Sequence, residues 1–508
     1  MGATKQSGLP RKEGGFVSIL KYGIFAALLA VFILTGCKPV GPNYQRPTYT
    51  APPIYKETGA PSVTVPPPPS PANGSWQPAS PSDGMIRGKW WELYQDPQLN
   101  KLEERIATYN QGLHAALENY LAAREQVRAA RASFYPTLSA GPSFSHDKLS
   151  AHRPLTSEFS TKSSYNDLQL EGQASWEPDF WGKIRRTVEA SNAGAQASAA
   201  DMANTDLSLH SEMARAYFEM RGLDSQKRLL EATVSDLTNQ LDLTKRRLAG
   251  GIGTEADVAQ AQTQLESTRA QLIEVGVARA EFEHAVGSIA DIKLPDFSLA
   301  PDPLDADVPQ IPLGIPSQLL QRRPDIAAAE RRAAQANAQI GIAVSAFYPT
   351  ITLGGIGGFE SSHGGTWIQG PSSLWSLGAQ AAELLLDGGR RKALTNQARD
   401  LFEASASNYK GVVFLAFNEV EDKLSDLRIL EQEQATERAA VASAQHSLDI
   451  SKQRYKGGVT SYLEVLTAEA TLIQSQRTEA DLKSRQFTAS VLLIRALGGG
   501  WDASQLPK

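Results

Sequence analysis

Between residues 183 and 249 apolar residues recur every seven positions. Met213, Met220, Val234, Leu241 and Leu248 share one heptad position, and Ala216, Leu223, Leu230 and Leu237 share the other; Lys227 and Thr244 are exceptions. A sustained seven-residue repeat predicts coiled-coil packing. A helix of this span is ~100 Å long at ~1.5 Å per residue, more than a globular domain needs. It stops at Gly250-Gly251, and a second helical pattern runs from 254 to 289. The same text returns later. A long helix from 391 to 456 carries Val420, Leu427, Val441, Leu448 and Tyr455, stops at Gly457-Gly458, and is followed by a helix to about Ala496.

Upstream of each long helix the period changes. "FYPT" occurs at 134–137 and at 347–350, each time ending a helical stretch, because proline cannot continue the helix and drives the preceding tyrosine toward extended geometry. After the first, Leu168, Leu170, Gly172, Ala174 and Trp176 alternate with more polar residues. Period two predicts strands, near 137–147 and 165–177. A second hairpin is expected over 350–386, with "GGIGG" (354–358) as strand text, since it lacks the strand–turn–helix frame and the lysine of a phosphate loop. The earlier helical pattern opens with Asp96-Pro97 as cap and first position and continues to about Ser133.

The glycine turns align with a constant shift, 454 − 247 = 207, pairing Arg247 with Arg454, Gly250 with Gly457, Gly251 with Gly458 and Val258 with Val465. The shared order of helix, FYPT, hairpin, long helix, Gly-Gly and helix indicates an internal duplication. The expected organisation is a signal peptide (1–36), a Pro-rich tether (37–85), repeat one (86–290, tip 250–253), a linker (291–315), repeat two (316–497, tip 457–460) and a tail (498–508). The fold class is mainly α with a membrane β part.

Composition narrows the function. A net charge of −5 gives no nucleic-acid surface. The one cysteine, Cys37, excludes internal disulfides. It follows a basic segment and the apolar run 23–34, which is short for a membrane span of ~20 residues and reads as a secretory signal. "LTGC" (34–37) resembles a bacterial lipobox, so Cys37 is expected to carry an N-acyl and S-diacylglycerol lipid, and Lys38 after it favours the outer membrane. The seven histidines form no metal-ligand spacing on a helix face, so no metal or other cofactor is expected, and no nucleophile–base set marks an enzyme. Two hairpins give four strands, too few to close a barrel. Two chains would give a barrel filled by side chains, while three would give twelve strands and a lumen.

This outline resembles the TolC-like outer-membrane factors, specifically the lipoprotein branch serving resistance–nodulation–division efflux pumps. The carriers are "CKPVGPNYQRP" (37–47), "WWELYQDPQLNKLEERIATYN" (90–110), "LLQRRPDIAAAE" (319–330), both FYPT motifs and both Gly-Gly turns. The resemblance implies a homotrimer with a 12-stranded outer-membrane barrel and a periplasmic helical barrel. Its partners would be a periplasmic adaptor protein, an inner-membrane pump and outer-membrane lipid. It implies that the tips at Gly250, Gly251, Gly457 and Gly458 close the channel, that Tyr455 bonds Asp257, that Glu464 rings the pore and that Leu463 constricts it. Thr460 and Thr467 stand where relatives carry charges. The rivals are a periplasmic adaptor or coiled-coil lipoprotein, a type I secretion duct, and an enzyme on a helical scaffold.

Overall fold

The computed structural model describes residues 38–58, 88–148, 164–312 and 316–507. Cys37 and most of the Pro-rich tether lie outside them. The helices are α1 (Pro97–Tyr109), α2 (Gln111–Ala132), α3 (Lys183–Ala249), α4 (Glu255–Ile289), α5 (Pro324–Ser345), α6 (Arg390–Lys456) and α7 (Tyr462–Ala496). The strands are β1 (Thr137–Lys148), β2 (Ser164–Trp176), β3 (Thr350–Ser361) and β4 (Ser373–Ala382).

The duplication is visible in element lengths. α2 and α5 each have 22 residues, β1 and β3 each 12, α3 and α6 each 67, and α4 and α7 each 35. Starts differ by 213 ahead of each hairpin (324 − 111, 350 − 137) and by 207 after it (390 − 183, 462 − 255). The first hairpin segment is therefore longer.

Two local readings change. The helical pattern before the first FYPT is two helices, because Asn110 adopts extended geometry between α1 and α2. Its side chain accepts from the Leu113 amide and donates to the Ile289 carbonyl (3.0 and 2.9 Å), so it caps α2 and ties it to the end of α4. The second hairpin is shorter than 350–386, since β4 ends at Ala382. Asp96 caps α1 as expected, accepting from the amides of Gln98 and Leu99 at 2.8 and 3.0 Å.

The described chain forms two compact units, and each draws on both repeats. The first contains 38–45, 124–148, 164–193 and 334–404, with one antiparallel sheet of order β1-β2-β3-β4. The second contains the remaining helical segments. Its largest core packs Trp90, Trp91 and Tyr94 with Leu99, Ile106, Met213, Tyr217, Phe218, Met220 and Phe487. A second cluster joins Leu319 and Ile326 to Tyr409, Val413, Phe417 and Val420, with Tyr55 of the tether sealed into it. A third sits behind the hairpin tips and combines Leu237, Leu241, Leu265, Leu448, Tyr462, Val465 and Leu472. The heptad residues Met213, Ala216, Met220, Leu230, Leu237, Leu241, Val420 and Leu448 are buried, each large one contributing about 1.5–3 kcal/mol.

Candidate functional site: a two-faced sheet and two hairpin tips

Register and strand alternation sort the sheet into two faces. Leu138 lies opposite Ala174, Phe144 opposite Leu168, Leu170 opposite Phe359, Trp176 opposite Leu353, and Gly355 opposite Leu377. Partners across a ladder share a face, so Leu138, Phe144, Leu168, Leu170, Trp176, Leu353, Phe359, Trp375 and Leu377 form one largely apolar face, with His146, Lys148, Asn166, Ser361 and Ser373 as polar positions toward the hairpin ends. The other carries Ser139, Ser143, Gln169, Glu171, Gln173, Thr352, Glu360, Ser376 and Gln380, with Tyr165, Ile356 and Leu374 as exceptions. Trp375 and Leu377 are 77% and 78% exposed, with no protein layer over them in the single chain. Strands of 10 to 13 residues match the ~9–11 needed for a tilted membrane crossing. Gly358 has a steric reason: a Cβ there would lie 2.2 Å from the Leu170 carbonyl oxygen. "GGIGG" is thus strand, as its sequence context suggested.

Aromatic residues mark the helix-side end of this sheet. Trp176 Nε1 donates to the Phe134 carbonyl (2.9 Å) and Trp181 Nε1 to that of Pro349 (2.8 Å). Trp181 also stacks on Tyr348 at 4.8 Å. Both FYPT motifs are therefore fastened by a tryptophan, at the position of a membrane-interface belt. The segment after Cys37 docks at the same end. The Val40 amide donates to the Trp181 carbonyl at 3.0 Å, and Arg186 donates to the carbonyls of Val40 and Gly41 and to Asn43 (3.2, 3.3 and 3.0 Å). Gly41, with φ of +89°, lies so close to Gly341 that a Cβ would sit 2.5 Å from its Cα.

The tips are a matched pair of helix ends. Ile252 N donates to Arg247 O and Gly251 N to Leu248 O, both at 2.9 Å; Val459 N donates to Arg454 O and Gly458 N to Tyr455 O, at 3.0 and 3.1 Å. These are Schellman motifs. The second glycine of each pair carries the left-handed turn, with φ of +73° at Gly251 and +72° at Gly458; Gly250 and Gly457 do not. The apolar residue after each turn faces outward, with Ile252 74% and Val459 71% exposed.

The helices that leave the tips start differently. Thr254 caps α4 in a reciprocal box: its Oγ1 accepts from the Asp257 amide (3.1 Å), and its own amide donates to the Asp257 carboxylate (3.0 Å). Ser461 caps α7 without a side-chain bond. Asp257 thus serves its own helix, and no hydrogen bond joins it to Tyr455 among the described residues. Burial, with the Asp257 charge nearby, raises the Tyr455 hydroxyl pKa against the lowering by Arg247. The Tyr455 ring instead lies against the Arg247 guanidinium (4.5 Å) and Tyr462 (5.3 Å). Glu464 is half exposed, 3.8 Å from Arg454. Leu463 and Thr467 line an open groove of about 820 Å³ with Gln260 and Gln264.

One buried cluster escaped sequence reasoning. His210 Nδ1 meets Glu103 Oε2 at 2.7 Å, its Nε2 lies 3.4 Å from Asp206, and Trp91 stacks on the imidazole at 4.3 Å. Burial pushes the Glu103 carboxyl up to about 7, against the lowering by His210. Burial alone would lower His210, but Asp206 and Glu103 override it and raise the imidazole to about 9. The partners are 107 residues apart, and only the fold joins them. Among the described residues no group of three His, Cys, Asp or Glu could hold a metal, and no helix is long and apolar enough to cross a membrane.

Comparison with known proteins agrees with this geometry. The family model for outer membrane efflux proteins matches residues 104–286 and 315–499, one block per repeat. The chain is 29% identical over 480 residues to the probable efflux pump outer membrane protein TtgC of Pseudomonas putida, covering 94% of this chain and 96% of that one. It is 29% identical over 483 residues to the probable outer membrane lipoprotein SilC of Salmonella typhimurium, covering 94% and 98%. The CmeC outer membrane channel of Campylobacter jejuni superposes with a TM-score of 0.82 at 25% identity, over 92% of this chain and 96% of that one. The chain belongs to the outer membrane efflux protein family and has its TolC-like channel fold.

Proposed function

We propose that three copies of this chain form the outer-membrane exit duct of a tripartite export system. The open, two-faced sheet carries the reading. Its outer strands β1 and β4 have unpaired edges within the chain, and backbone groups in hydrocarbon must be paired. Joining β4 of one copy to β1 of the next closes twelve strands, with the apolar face toward lipid and the Ser, Gln and Glu face toward a water-filled lumen. The long helices extend the lumen into the periplasm. The tips at Gly250-Gly251 and Gly457-Gly458 end it, with Asp257, Tyr455, Leu463 and Glu464 at the constriction. The duct is passive; an inner-membrane pump supplies the energy, and a periplasmic adaptor docks on tips that present Ile252 and Val459.

Docking of residues 39–43 beside Trp181 supports lipidation of Cys37. Residues 39–43 meet the aromatic end of the sheet, and an acyl chain on Cys37 would enter the inner leaflet there. Native mass spectrometry of detergent-extracted protein should give a trimer carrying lipid, and Cys37→Ser should remove the lipid mass. Planar-bilayer recordings should show ion conductance that grows when the tips are loosened. A monomer that never conducts would overturn the reading.

A further inference from the structure

We propose that Arg247 is the latch of the tip, holding the ring of Tyr455 rather than its hydroxyl. The inference rests on the duct reading and names the contact that keeps it closed. The guanidinium carbon lies 4.5 Å from the Tyr455 ring centroid, within cation–π range. Arg247 Nε is buried without a hydrogen-bond partner in this structure, and the guanidinium it belongs to is the group set over the ring. Tyr462, the first residue of α7, packs on the same ring at 5.3 Å. Its hydroxyl donates to Gln240 (3.3 Å), and Gln240 donates to Glu469 (2.6 Å). Arg247 and Gln240 belong to α3 of repeat one, whereas Tyr455, Tyr462 and Glu469 belong to α6 and α7 of repeat two. Opening by movement of the second hairpin away from the first must separate the guanidinium from the ring.

The duplication explains why the tie has one direction. The counterpart of Arg247 is Arg454, and the counterpart of Tyr455 is Leu248 (455 − 207). Leu248 offers no ring, and Arg454 is half exposed beside Glu464 instead. The chain therefore carries one such clamp at its tips. Asp257 is committed to Thr254, so a hydroxyl–carboxylate bond is not what holds Tyr455.

Bilayer conductance separates ring from hydroxyl. Tyr455→Phe keeps the ring and should conduct like the parent. Tyr455→Leu and Arg247→Ala should each raise the open fraction roughly two- to fivefold per chain, and the double variant no further than either alone. Arg247→Lys keeps the charge without the planar fork and should fall between. Each variant is first shown to be a trimer of parental heat resistance, and Arg247→Lys, the mildest change, keeps the test open if the alanine variant misfolds. If Tyr455→Phe opens as far as Tyr455→Leu, or Arg247→Ala conducts like the parent, the latch assignment is overturned while the duct stands. Intact trimers that conduct in no variant would overturn the duct and the latch with it.

Discussion

Glu103 and His210 are both enclosed in the helical core, and both have pKa values raised by folding. A raised folded pKa contributes stability at low pH and loses it as pH climbs through the folded value. For Glu103 that contribution is full below the ordinary 4.5 and lost through about 7. For His210 it is full below 6.5 and lost through about 9. The two act in the same direction, as a coupled pair that also includes half-exposed Asp206. The thermal midpoint of the detergent-extracted protein should fall between pH 6 and pH 9, and Glu103→Gln with His210→Gln should flatten that slope. His210→Leu alone leaves the Glu103 carboxyl buried, neutral and without its hydrogen-bond partner, and should cost about 1–3 kcal/mol. An unchanged pH profile in the double variant would show that the cluster does not govern the loss of stability between pH 6 and pH 9. None of this was legible in the sequence, where His210 is one of seven scattered histidines; a hydrogen bond across 107 residues leaves no local pattern.

At the scale of elements, periodicity carried most of the information. Both 67-residue helices run within a residue of the spans read from the helical pattern, with the heptads marking their distal halves, and FYPT located both helix-to-strand junctions, because proline and side-chain period act locally. What a residue's side chain does at a helix end was less legible. Thr254 and Ser461 each have a carboxylate three residues on and both read as caps, yet only Thr254 makes the bond: Asp257 returns it, whereas Glu464 lies 3.8 Å from Arg454. Asp257 was expected to hold Tyr455 and holds its own helix start. Thr254→Ala should therefore cost about 1 kcal/mol and speed amide exchange at the first tip, while Ser461→Ala should leave the second unchanged. The glycines divide in the same way. Gly458→Ala forces a left-handed residue and should cost about 1–2 kcal/mol, whereas Gly457→Ala should be nearly neutral. Hydrogen exchange of peptides spanning each tip reads all four; equal protection in Thr254→Ala and parent would remove the contrast between a capped first tip and an uncapped second.

For the whole molecule, the arithmetic of strands decides more than any single site. A helical hairpin can satisfy its own backbone, but the four-stranded sheet cannot satisfy its two edges alone. That argument was available from counting hairpins in the sequence. The division of faces needed the register, because a one-residue slip would exchange the lipid and lumen sides. With register in hand, neighbouring residues on β4 should respond oppositely to the same substitution. Leu377→Arg puts a charge on the apolar face, at a cost of about 2–4 kcal/mol per chain near mid-membrane, repeated three times around the barrel. Trimers should fail to accumulate in the outer membrane. Ser376→Arg, one residue away, points to the face shared with Glu171 and Glu360, and trimers should assemble normally. Its three new positive charges in the lumen should shift reversal potentials in a salt gradient toward anion passage. Membrane fractionation reads the first variant and bilayer recording the second. If Ser376→Arg blocks assembly while Leu377→Arg is tolerated, the faces are assigned the wrong way round and the closed twelve-stranded wall must be rebuilt from the opposite register.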